Sequence, residues 1–533
     1  MIGNADRRRP LYCIVCSLVG LHSLTGCALQ NYKSQADEQV YRIIDQKWRD
    51  DFGARANYRI SDVPASPNDV QIEKTIPAGG VLSLAQVVAM ATAHNRDYQA
   101  QKELLYTTAL DLRLVRHQFE TQYFGGFSGG YGADWNDSMT GIEANLGFNR
   151  LLAAGTMIST KVSGAYIDVL TGNLRSGLAS VLTATVTQPL LRGSDPKVVL
   201  EGLTQAERDT LYQLRSFGRF RQTFVVSVIA QYYEVLRLYD VMKNAEANYD
   251  ILARLSDRVE KLTDAGRLPA LELDEVHQEV LQAQDTYVQA KKEYELLLDQ
   301  FKITLSLPAT AEFQLDRSVL DDLRKTGAAP IDFNEPEAIQ TALSRRLDIV
   351  NRADAVIDAQ RKVYVAADAL RADLNLTGSA DVVSGQRGNR RNVQLTEDYL
   401  LDLELGLPLD RVPEQNVYRK ALITLNQRQR EYDLGSDTAA LEVRQAYRDL
   451  AEAAERYRLQ SDGLELARER FRKTNALMQY ARASSRRVLD AQRDLFDAQN
   501  EAAQALVNYA VAMLSFYRDT GVLQVRPDGM WKL

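Results

Sequence analysis

VHQEVLQAQDTYVQAKKEYELLLDQF, residues 276–301, and AQRDLFDAQNEAAQALVNYAVAMLSF, residues 491–516, share one pattern 215 positions apart. In the first, apolar residues fall at Val276, Val280, Ala283, Tyr287, Ala290, Tyr294, Leu297 and Phe301. In the second they fall at Ala491, Leu495, Ala498, Ala502, Ala505, Tyr509, Ala512 and Phe516. Steps of four and three average about 3.5 residues, the period of helices packed in coiled-coil fashion. The pattern predicts a long helix present twice, and repeated long helices point to a wall or a tube.

The flanking chain repeats as well. No proline falls between Pro196 and Pro269 or between Pro413 and Pro527, which leaves both stretches free to be very long helices. Helix is expected from about Lys197 to Asp264, with Val225, Ile229, Tyr232, Leu236 and Tyr239 again stepping by four and three. Ala265-Gly266-Arg267-Leu268-Pro269 breaks it before the first seam helix. In the second copy the helix after Pro413 breaks near Tyr480 to Ser485, and the second seam ends before Gly521. At 1.5 Å per residue these rods reach roughly 50 to 100 Å.

Ahead of each hairpin lies a segment of different character. Residues 123–193 are rich in Gly, Thr, Ser and aromatics; Ile142 to Phe148 alternates as a strand does, and Val181 to Val186 is a second candidate before Pro189. Leu374 to Leu409 contains the cleaner pair, with Leu401-Asp402-Leu403-Glu404-Leu405-Gly406-Leu407 ending at Pro408. Before the strands the two copies are offset by 251 positions (Ala91 and Ala342), after them by 215, so the first strand region is 36 residues longer. An insertion of that kind is expected to enlarge loops at the strand ends. Gly125-Gly126-Phe127-Ser128-Gly129-Gly130 follows a helix and precedes strands, the reverse of a dinucleotide site, and reads as a flexible lead-in.

The net charge of −7, from 64 basic and 71 acidic residues interleaved along the chain, gives no clustered basic face for nucleic acid. All three cysteines lie near the start. Arg7-Arg8-Arg9, the apolar run Leu11 to Leu24 and Leu24-Thr25-Gly26-Cys27 form an export signal. Its ending resembles the bacterial lipobox, which makes Cys27 the expected site of acylation; the alternative is an ordinary signal peptide with a chance cysteine. Cys13-x-x-Cys16 lies within the signal and leaves with it. His22, His94, His117 and His277 stand without carboxylate or thiolate partners at ligand spacing, and no H-E-x-x-H or P-loop lysine occurs. Neither an enzyme nor a cofactor is expected.

Helix, strand pair, helix, break, helix, duplicated behind a lipobox, resembles the TolC-like outer-membrane factor family. The resemblance rests on Leu84-Ala85-Gln86 with Ala91 and Asn95-Arg96-Asp97, on Gln188-Pro189-Leu190-Leu191-Arg192-Gly193, and on Val488-Leu489-Asp490-Ala491-Gln492. It covers nearly all of the chain after about residue 80. It implies a mainly α chain with a membrane β-barrel portion. Three copies would pool four strands each into a twelve-stranded barrel in the outer membrane of a diderm bacterium, and the duplicated helical hairpins would build a trimeric α-barrel. Open strand edges are not tolerated in lipid, and four strands are too few to close alone, so the bottom-up reading also requires partners.

The expected organisation is a signal peptide (1–26), an N-terminal linker (27–80), a first repeat (81–310), a linker (311–336), a second repeat (337–520) and a C-terminal tail (521–533). The resemblance further implies an efflux or type I secretion duct, working with an inner-membrane pump and a periplasmic adaptor and anchored by lipid on the periplasmic side. The rival is a periplasmic coiled-coil adaptor or scaffold lipoprotein without a pore. In the family the hairpin tips close the periplasmic end. That assigns Gly266, Arg267, Ala481 and Arg482 to the tips, Asp490 to a pore-lining position and Glu272 to a linkage position. Two departures matter: Arg487, beside Arg486, stands where the family's archetype has a second aspartate, and Ala481 replaces a tip glycine. Rings of Arg487 and Asp490 closing as salt bridges are one expectation; the other is that Arg486 and Arg487 meet an adaptor or solvent.

Overall fold

The computed structural model describes residues 29–53, 55, 58–61, 80–133, 138–169, 177–327, 334–386, 393–480, 482–526 and 531–532. The signal segment with Cys27, and Ala481, lie outside them.

The helices are α1 (Leu29–Lys47), α2 (Leu84–His94), α3 (Arg96–His117), α4 (Pro196–Val199), α5 (Glu201–Asp264), α6 (Ala270–Thr304), α7 (Ser318–Thr326), α8 (Glu335–Arg345), α9 (Leu347–Asp368), α10 (Val412–Gln479) and α11 (Ser485–Asp519). The 64 residues of α5 and the 68 of α10 are uninterrupted, as the absence of prolines beyond the first turn allows. The breaks fall where the sequence puts them, between Asp264 and Ala270 and between Gln479 and Ser485. Each expected helix ahead of the strands is instead two: α2 and α3 meet at Asn95, α8 and α9 at Arg346. Asn95 has an extended backbone, and its side chain accepts from the Tyr98 N–H, which caps α3.

The chain divides into two compact units, each drawing on both sequence repeats: one on residues up to Trp48, Leu105–Gln213 and Ala355–Gln429, the other on Arg49–Leu104, Leu214–Asp354 and Arg430–Leu533.

The first unit contains a six-stranded antiparallel sheet: β2 (Gln122–Ala133), β3 (Ser138–Leu151), β4 (Met157–Val169), β5 (Gly177–Pro189), β7 (Asp373–Gln386) and β8 (Val393–Gly406), paired in that order. The expectation of four strands is therefore corrected to six. The 36 extra residues are a complete β-hairpin, β3–β4, and not enlarged loops. The Gly125–Gly130 run is likewise no lead-in but the middle of β2, paired from Gly125↔Leu146 to Gly130↔Gly141. The β3–β4 turn closes with Leu152 N–H donating to Thr156 O at 2.9 Å and Gly155 at φ +79°. A Cβ at Gly155 would stand 2.5 Å from Gly193 O and 2.8 Å from Pro189 Cγ, so only glycine fits.

Residues opposite one another across a strand pair share a face, so the register sorts the sheet into two faces. One carries Tyr123, Phe127, Ile142, Leu146, Val162, Tyr166, Leu182, Val186, Tyr399, Leu401, Leu403 and Leu405, all exposed, interrupted by Arg150 and Glu397. The other is mainly polar, with Asn, Ser and Thr positions, Lys161, and the carboxylates Glu143, Asp373, Asp381, Asp398, Asp402 and Glu404, though it also carries Phe124, Met157 and Leu400. Asp381 and Asp398 face each other directly, an arrangement tolerable only in a well-hydrated setting. On the helices of this unit, Asp358 gathers Arg208 at 2.5 Å, Arg361 at 2.7 Å and the Tyr212 hydroxyl at 2.5 Å.

In the second unit β1 (Val81–Leu82) pairs in parallel with β6 (Gln314–Leu315), and β9 (Gln524–Val525) pairs antiparallel with β10 (Trp531–Lys532). They flank a core in which Val225, Ile229, Tyr232 and Leu236 of α5 meet Phe301 of α6 and Leu506, Ala510 and Leu514 of α11. Every seam position from Val276 to Phe301 and from Ala491 to Phe516 is buried or half-buried. Tyr509 and Phe516 pack on Val443, Ala446 and Leu450 of α10.

Candidate functional site

The four long helices of the second unit meet at their turns. The α5 C-terminus is a Schellman cap: Gly266, at φ +70°, donates to Thr263 O at 2.8 Å, and the Arg267 N–H donates to Leu262 O at 2.9 Å. In the second hairpin the Arg482 N–H donates to Leu477 O at 2.9 Å, the same bond 215 positions on. Ala481, in Gly266's place, lies outside the described residues. Pro269 precedes α6 and Ser484 precedes α11, both extended, so each tip re-enters helix within a few residues.

Behind the turns is a small apolar core: Leu252, Leu255 and Val259 of α5, Val276 and Ala283 of α6, and Val488 and Leu489 of α11, with Phe471 and Met478 of α10 against it. It ties one hairpin to the other. Beside it a polar ladder does the same: Gln492 donates to Asn248 Oδ1 at 2.8 Å, Asn244 to Asn500 Oδ1 at 2.9 Å, and Arg493 pairs with Glu279, while Arg470 pairs with Asp494 within the second hairpin. Neither core nor ladder was read from the sequence, although the spacing of Val488 and Leu489 from the seam could have marked the core.

Burying Val488 and Leu489 turns Arg486, Arg487 and Asp490 outward, and all three are exposed. Among the described residues none of the three has a hydrogen bond or ion pair, so Arg487 and Asp490 do not pair within the chain despite their spacing of three. Arg267 and Arg482 are exposed at their turns. Glu272, in the first turn of α6, is half-buried, and its Oε2 is enclosed without a hydrogen-bond partner. No hydrogen bond or ion pair among the described residues joins Glu272 to Arg486, Arg487 or Asp490. The expected site residues therefore lie on two neighbouring turns, but one chain does not bring them into one network. Among the described residues no group of His, Cys, Asp and Glu is arranged to hold a metal, and no helix is long and apolar enough to cross a membrane.

No protein-family model and no curated protein matches the chain. Solved structures do. The outer membrane channel MtrE of Neisseria gonorrhoeae, in its open state, superposes with a TM-score of 0.60 at 13% identity over 89% of this chain and 95% of its own. The fold is that of the TolC-like outer-membrane channels. CusC, described in the context of transmembrane channel formation, gives 0.59 at 16% identity over 87% of this chain and 99% of its own. The Campylobacter jejuni outer membrane channel CmeC gives 0.58 at 14% over 82% and 85%. In the TolC-like fold the duplicated seam belongs to a duplicated hairpin.

Proposed function

We propose that this protein is an outer-membrane channel: a passive exit duct for efflux or type I secretion, coupled to an inner-membrane pump through a periplasmic adaptor. The observation that carries the reading is the sheet with one extensive exposed apolar face and one mainly polar, carboxylate-bearing face. A soluble domain has no use for so large an apolar surface, whereas a barrel wall has lipid on one side and water on the other. The open edges at β2 and β8 cannot stand in lipid, so the chain closes with further copies, as a homotrimer. Acylated Cys27 adds an anchor on the periplasmic side.

Asp490, Arg487 and Arg486 of each copy surround the periplasmic aperture. With no partner among the described residues, they are available to pair across copies or with the adaptor. Glu272 meets a neighbouring copy, which satisfies its enclosed oxygen. A non-channel adaptor lipoprotein would share the helical hairpins but gives the two-faced sheet no role.

The test is extraction from outer membranes and reconstitution in planar bilayers. A stable oligomer that conducts is expected; a monomer that remains soluble after removal of the lipid, with no conductance, would end the channel reading.

A further inference from the structure

The two strand regions differ by the β3–β4 hairpin, and the offsets say where it was added. Displaced by 251 positions, Gln122 at the start of β2 falls on Asp373 at the start of β7; displaced by 215, β8 falls on β5. The pair β2–β5 thus corresponds to β7–β8, and β3–β4 is inserted between its two members. The inserted strands are continuous with their neighbours, with twelve residue pairs between β2 and β3 and eleven between β4 and β5. They also repeat the two faces: Ile142, Leu146, Val162 and Tyr166 on the apolar side, Glu143, Asn145, Lys161 and Ser163 on the polar side. A hairpin serving as a plug or a periplasmic flap would not continue the apolar face.

We infer that the β3–β4 hairpin is part of the membrane wall, so that three copies close an eighteen-stranded barrel instead of a twelve-stranded one. The inference rests on the channel reading above. With strands about 4.8 Å apart and tilted about 40°, eighteen strands enclose a cylinder roughly 36 Å across at the backbone, against roughly 24 Å for twelve. The outer mouth is accordingly wide, and it is lined by Glu143 and Lys161 in addition to the carboxylates of β7 and β8.

Single spin labels at 142, 143, 162 and 163 in the full chain, reconstituted in lipid, test this, with labels at 401 and 402 as reference. Collision with oxygen against a water-soluble nickel chelate separates lipid from water, and native mass spectrometry counts the copies. Expected are three copies and an oxygen-to-nickel ratio several-fold higher at 142 and 162 than at 143 and 163, matching 401 against 402. Nickel-accessible labels at all four inserted positions, with 401 and 402 still alternating, would overturn the eighteen-stranded barrel and leave the channel standing. Loss of alternation at 401 and 402 as well would bring down both readings. A copy number other than three would overturn the strand total alone.

Discussion

Ser306 and Gly521 occupy the same place 215 positions apart, each closing a seam helix with a left-handed residue, at φ 55° and 73°. Around both, the next residue's N–H reaches back five positions, Leu307 to Lys302 O and Val522 to Tyr517 O. Ser306 is the one non-glycine with positive φ among the described residues. Ser306→Gly should therefore stabilise the protein by about 1 kcal/mol, read as a raised melting temperature. Gly521→Ser should destabilise it by more, because a Cβ there meets the Arg346 backbone nitrogen at 3.2 Å.

Leu255, 5% exposed in the core that joins the hairpin tips, has no solvent to relax into. Leu255→Ala should cost about 3 kcal/mol. If that core holds the tips together, single-channel conductance should rise in parallel, and an unchanged conductance would separate tip stability from closure.

Asp490→Ala tests the aperture itself. An acidic ring that holds the pore shut, alone or paired with Arg487 of another copy, should on removal raise conductance and antibiotic sensitivity. Arg487→Ala should act in the same direction only if the two pair. Unchanged conductance in both variants would remove these residues from the gate.

Lys102 of α3 is buried, its ammonium 5.1 Å from the Tyr98 ring, and burial lowers its pKa to about 8. The unfolded chain then binds more protons than the folded one between about pH 8 and the ordinary lysine value of 10.5. Stability should rise with pH through that window. Lys102→Met should flatten the rise, checked by melting temperature at pH 7.5 and 10.

Leu401 and Asp402 are neighbours on opposite faces of β8. Leu401→Arg should cost about 2–4 kcal/mol if the apolar face meets the bilayer core, and block assembly in membranes. Asp402→Arg should assemble normally and shift ion selectivity away from cations, measured as a reversal potential.

The helical hairpins were legible because their signal is long. Eight seam positions in each copy, and stretches free of proline, leave little else for the chain to be. The strands were legible only where both faces were chemically distinct, as at Leu401 to Leu407. β2 escaped because Gly125, Gly126, Gly129 and Gly130 carry no side chain to alternate, and glycine runs ordinarily mark turns. β4 escaped because Thr160 and Gly164 dilute the apolar side between Ile158 and Tyr166. A lipid-facing strand tolerates small residues that a soluble core would not. The tip core and its ladder were hidden for another reason: the contacts that tie one hairpin to the other join residues more than two hundred positions apart, and no local period records which helix faces which.

The inserted hairpin adds strands in a pair. One strand more would have left the chain at the opposite end of the strands, with the following helix pointing the other way. Two return it to the end it left, so the direction in which α5 departs is kept. On the channel reading, strands can therefore be added in even steps without changing the direction in which the chain leaves the sheet.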